Sequence, residues 1–262
     1  MDSLYRTPLL DCFRRGEVPR DIRLLAARGA LAPRAHEQLA LLVHLLADND
    51  NDIAAIAEET LEHLPRTALA AFLGRSDVAQ EMRNFFALRG VDAVTVTPEM
   101  PDDPLIDADL DAADVEPVPS AEDEEKARVL LSALSVPQRL KLAMKGTREQ
   151  RAVLIRDANK IVAAAVLSSP KLSDTEVEAF ARMTNVSEDV LRTIGTTRAW
   201  TRSYAVASGL VRNPKTPPTV SLALLPRLVD RDMKALVADR NVPEMLRIAA
   251  RKAAMVAQSR RQ

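Results

Sequence analysis

The 262-residue chain is 47 % apolar but only 3 % aromatic, and it has 7 glycines and one cysteine. Scarce glycine excludes a turn-rich all-β fold, and the lone Cys12 excludes an internal disulfide or a thiolate metal site. The net charge of −1 hides a partition into −3 over residues 1–98, −12 over 99–125, where there is no base, and +14 over 126–262.

Met1 to Leu10 carry Asp2, Arg6 and a break at Pro8, without the apolar core of a signal peptide. No stretch approaches the roughly 18 apolar residues of a membrane span. The expectation is a soluble, cytoplasmic protein. Richness in Ala, Leu, Arg and Glu favours helix throughout.

After Pro33, the residues Leu39, Leu42, Val43 and Leu46 form an i, i+3, i+4, i+7 stripe, which predicts an amphipathic helix. Asp48–Asp52 interrupts it, and Ile53, Ile56, Ala57, Thr60 and Leu61 make a second stripe. Pro65 opens a third helix through Leu69 and Phe72, and Ser76 is placed to cap a fourth carrying Met82, Phe85 and Phe86. Val91–Thr97 alternates weakly, as a lone strand would.

The acidic run holds Pro98, Pro101, Pro104, Pro117 and Pro119. Proline blocks helical hydrogen bonds and like charges repel, so an extended, mobile linker is expected over 94–122. Leu105, Ile106, Leu110 and Val115 punctuate the acids, as in segments that dock on a groove. The linker therefore reads either as a spacer or as a tether that occupies the basic half.

Beyond it the pattern repeats. Val166–Lys171 (VLSSPK) matches Leu210–Lys215 (LVRNPK) at an offset of 44, and Asp189–Ile194 (DVLRTI) matches Asp232–Val237 (DMKALV) at 43. Thr147 with Gln150 and Ser173 with Glu176 have capping-box spacing, Thr216 precedes Pro217 as a cap would, and Asp157–Asn159 separates two stripes. In these turns and in its period, the chain resembles HEAT-like and armadillo-like helical repeat proteins. The resemblance implies an all-α fold of stacked antiparallel helical hairpins, an α-solenoid that recognises macromolecules. The expected domains are an N-terminal helical block over 1–93, the linker over 94–122 and a basic repeat domain over 123–262.

Chemistry-bearing groupings are sparse. Asp48, Asp50, Asp52 and Glu59 fall at calcium-loop spacing, but Ile53 stands where the loop needs glycine, and helix capping accounts for the acids. His36, His44 and His63 lack further ligands at metal spacing, and no histidine follows residue 63. Glu58, Glu59 and Glu62 read as a solvated helix face. Gly146 and Gly195 are isolated and read as helix ends rather than as a phosphate loop. No cofactor, metal or catalytic residue is expected.

Trp200 and Tyr204, one helical turn apart and flanked by Arg198 and Arg202, would stack on one face, either in the core or as an aromatic–arginine patch. The candidate partner contacts are Arg198, Trp200, Arg202, Arg212, Lys215 and Arg247. The expected function is a non-catalytic scaffold binding a protein partner. The alternative is a nucleic-acid-binding module using the basic half, with the acidic linker as an internal competitor.

Overall fold

In the computed structural model the described residues are 7–97, 100–106, 131 and 133–259. They form sixteen α-helices and a short 3₁₀ turn, with no strand among them. The helices are α1 Pro8–Arg14, α2 Arg20–Ala27, α3 Ala35–Leu45, α4 Asn51–Glu62, α5 Arg66–Leu73 and α6 Gln80–Ala87. They continue with α7 Val136–Lys145, α8 Arg148–Leu154, α9 Lys160–Ser168, α10 Asp174–Arg182 and α11 Glu188–Thr196. The last five are α12 Arg198–Thr201, α13 Tyr204–Arg212, α14 Pro218–Leu224, α15 Asp230–Ala238 and α16 Glu244–Ser259. No helix among the described residues is long and apolar enough to cross a membrane.

The chain divides into two compact units. One holds the described residues up to Arg151 together with Ala164–Lys171, and the other holds Ala152–Ala163 and the residues from Leu172 onward. This division follows packing, whereas the boundary at 122/123 follows charge, and the two need not coincide.

In the first unit α3 is the centre, packed by α1, α2 and α4. Every residue from Ala35 to Leu45 except His44 is buried. The stripe of Leu39, Leu42 and Val43 is therefore only part of a helix enclosed all round, which is why polar His36, Glu37 and Gln38 are buried as well. On α4 the buried positions are Ile53, Ala57 and Leu61, one face of an amphipathic helix. Asp50 caps α4 by accepting the Asp52 amide at 3.1 Å, and Arg20 and Arg23 pair with Asp48, Asp50 and Asp52. Pro65 does open α5, but α6 starts at Gln80 without a side-chain cap, so Ser76 does not cap it. Residues 91–97 are irregular chain rather than strand, with the Val94 amide donating to the Ala70 carbonyl at 2.9 Å.

Along the basic half the helices that start at 160, 174 and 188 recur in order at 204, 218 and 230, in step with the sequence repeat. The residue before each repeated proline has the same job. Ser169 donates to the Met144 carbonyl at 2.8 Å at the end of α7. Asn213 donates to the Ala181 and Met183 carbonyls at 3.0 and 2.8 Å at the end of α10. Each supplies a donor to carbonyls that a helix end leaves free. The Thr147–Gln150 and Ser173–Glu176 capping boxes form in both directions. Asn159 caps α9 through the Ile161 amide at 2.9 Å.

Two local expectations turn out differently in detail. The N-cap of α14 is Pro217, and the buried Thr216 hydroxyl has no hydrogen-bond partner among the described residues. Gly195 lies in the last turn of α11, as expected, but the cap is Thr197. A Cβ there would sit 2.2 Å from Val220 of α14, so glycine permits a close helix approach.

Candidate partner-binding groove

Within the second unit, α10 and α13 lie side by side, and both ends of α13 are tied to α10. At the start, Ser203 accepts from the Val206 amide as N-cap and donates to Glu178 at 2.9 Å. At the end, Asn213 holds the last carbonyls of α10. Between these ties Gly209 lets the helices close up, since a Cβ would lie 3.2 Å from Arg182 Cγ and 3.4 Å from Ala181 Cβ.

Beside this seam runs an open groove of about 370 Å³, lined by Arg182, Thr184, Tyr204, Ser208, Arg212 and Asn213, among others. Its polar rim is pre-set. The Tyr204 hydroxyl donates to Asp232 Oδ2 at 2.5 Å, and the Arg212 guanidinium donates to Asp232 Oδ1 at 2.8 Å. The same hydroxyl accepts from the Val229 amide at 3.3 Å. Asp232 is 8 % exposed and Tyr204 is 40 % exposed, so the anchor is inside and the ring outside. The Tyr204 hydrogen bond, helped by the charge of Arg212, holds the Asp232 carboxyl below its ordinary range, so it stays ionised. Desolvation and the same bond to Asp232 push the Tyr204 phenol upward, so it stays protonated. Arg182 has no hydrogen-bond or ion-pair partner among the described residues and is exposed. The arrangement offers two guanidinium groups, one anchored and one free, beside hydroxyls and an aromatic ring. Such a surface suits a carboxylate or another anionic group.

The six expected contact residues do not form one site. Arg212 lines the groove, and exposed Lys215 follows it on the Asn213–Pro214 turn. Arg198 and Arg202 are exposed and Trp200 is half-buried on or beside the short α12, outside the groove lining. Arg247 sits half-buried on α16, its Nε enclosed without a hydrogen bond.

Trp200 and Tyr204 do not share a helix, because the chain turns at Arg202 and Ser203 starts a new one. Sequence reasoning passed over Ser203 as a cap because it weighed only the ring spacing. It also missed Arg182, whose grouping with Arg212 depends on helix packing. Asp232 had a signal, as it matches Asp189 in the repeat.

The acidic run shows one more departure from expectation. Its described part, residues 100–106, is irregular chain with a bend at Leu105 and is bonded to α3 of the first unit, while 107–125 lie outside the described residues. No family model, no curated protein and no solved structure matches this chain.

Proposed function

We propose that the chain is a non-catalytic scaffold of stacked, HEAT-like helical hairpins that binds an acidic segment of a protein partner through the α10–α13 groove. The observation that carries this reading is the ion pair that fixes Arg212 on buried Asp232 next to unpaired Arg182. A cation held in place loses little freedom on binding, which favours recognition over an equally charged but floppy surface. Helical repeats supply such surfaces side by side, and positive charge speeds the encounter. The non-catalytic part of the reading is supported by Glu37, the acid pushed furthest up among the described residues. It is fully enclosed, so a substrate does not reach it.

A second reading, nucleic-acid binding, is favoured by the +14 charge of residues 126–262. Aromatic side chains for base stacking are few, which weighs against single strands. Affinity capture with the full chain tests both readings. The protein reading expects a partner that is retained after nuclease treatment and lost with Arg182→Glu plus Arg212→Glu, but kept with Lys252→Glu. Equal recovery with both variants would sink the groove. Recovery that vanishes with nuclease, or a steep salt dependence on duplex DNA, would favour the second reading.

A further inference from the structure

In the first unit, the start of α3 is bonded to the main chain of residues 102–106. The N-cap of α3, Arg34, makes no side-chain cap bond. The cap comes instead from residues 100–106. The Asp102 carbonyl accepts from the Ala35 amide at 3.3 Å, and Asp102 Oδ1 accepts from the His36 amide at 3.1 Å. His36 Nδ1 lies 2.9 Å from the same carboxylate oxygen.

One turn along, Gln38 treats residue 106 as a neighbouring strand would. Its Oε1 accepts from the Leu105 and Ile106 amides at 2.8 and 3.2 Å, and its Nε2 donates to the Ile106 carbonyl at 2.8 Å. A further bond from Nε2 to the Gly29 carbonyl at 2.8 Å fixes the amide. Gly29, at φ +76°, forms the floor, and a Cβ there would touch Ile106 at 3.4 Å. Gln38 is 1 % exposed and His36 4 %, so two enclosed polar side chains face this strap. Pro101 and Pro104 stand where none of these bonds uses a backbone donor, and they keep the segment out of helix.

We propose that this end of α3 is a peptide-recognition site for an acidic segment of the pattern Asp-x-x-Leu-Ile. The chain's own residues 100–106 fill it in cis, and a partner protein presenting the same pattern displaces them. The strap is suited to exchange. Asp102 and residues 104–106 are only half-buried, while Pro101 and Asp103 face solvent. The apolar residues Leu39, Leu41 and Leu42 are fully enclosed in a helix that α1, α2 and α4 also pack, so opening the strap is a local event. The bonds reach main-chain atoms and one carboxylate, and the Ile106 side chain lies against Gly29, so the site selects backbone shape, one acid and an aliphatic residue at the last position.

A fluorescein-labelled Met-Pro-Asp-Asp-Pro-Leu-Ile peptide tests this by anisotropy with the full chain. A strap-weakened chain, Asp102→Ala with Ile106→Ala, should bind it at least ~10-fold more tightly than the unaltered chain, because the cis occupant no longer competes. Adding Gln38→Ala to that background should weaken binding by at least ~10-fold. A strap-weakened chain of unchanged helicity that does not bind, or that is indifferent to Gln38→Ala, overturns the proposal. Hydrogen exchange on the unaltered chain is independent of how the variants fold. The Leu105 and Ile106 amides should exchange at least ~100-fold faster than those of Leu41 and Leu42. Equal protection overturns the proposal, since the strap would then open only with the whole unit.

Discussion

Each compact unit carries a polar cluster, and the two lie at opposite depths. On α3, His36, Glu37 and Gln38 follow one another inside a helix enclosed by apolar neighbours. Around the α10–α13 groove, Tyr204 and Arg212 meet Asp232 at a surface that water reaches. Depth decides what such clusters do. Enclosed polar groups are costly to leave unpaired, so they hold on to whichever segment satisfies them, whereas partly solvated ones cost little to uncover.

The largest test of this contrast is Glu37. It is fully buried, hydrogen-bonded to Thr7, and has a second oxygen without a partner among the described residues. Burial pushes its carboxyl from an ordinary 4.5 up to about 7. The folded state therefore holds this proton more tightly than the unfolded chain does. Its contribution is fully present below pH 4.5 and is lost as pH rises through about 7. Glu37→Gln should remove that dependence and stabilise the chain by about 3 kcal/mol at about pH 8, with little effect near about pH 4.5. Urea denaturation of both chains at the two pH values checks it. A difference that does not grow with pH would break the contrast.

Next in size are the two repeated turns. Asn213→Ala strands one buried and one part-buried carbonyl and should cost about 2 kcal/mol, while Ser169→Ala strands one buried carbonyl and should cost about 1 kcal/mol. Thermal and urea unfolding would rank them, and an inverted order would show that the two copies of the turn do unlike work. The smallest effect belongs to the exposed pair. Lys160 meets Asp189 at 2.8 Å, the position in the first copy that Tyr204 and Asp232 hold in the second. The Lys160 and Asp189 side chains are 64 % and 43 % exposed, so Lys160→Ala should change stability by no more than about 0.5 kcal/mol. A larger loss would mean that surface ion pairs hold the repeat together.

Much of the secondary structure was legible in the residues. Ser173 with Glu176, Thr147 with Gln150 and Asn159 before α9 announce helix starts through local hydrogen bonds, which depend on neighbours in sequence. The 44-residue offset likewise reappears as equivalent helices. The site was less legible. Of the expected contacts, Arg212 lines the groove, while its companions Arg182 and Asp232 come from other helices. Spacing alone put Trp200 and Tyr204 on one face, and a competing local signal, Ser203 as cap, separates them.

The amino-acid sequence by itself determined an all-helical chain, its caps, its repeat and its split of charge, because propensity, capping and composition act over a few residues. Only the tertiary structure decided that α3 would be enclosed on all sides, that Asp102 would cap it from 66 residues away, and that Arg182 and Arg212 would share a groove. Those outcomes depend on which helices pack together, and packing joins residues that no local pattern connects.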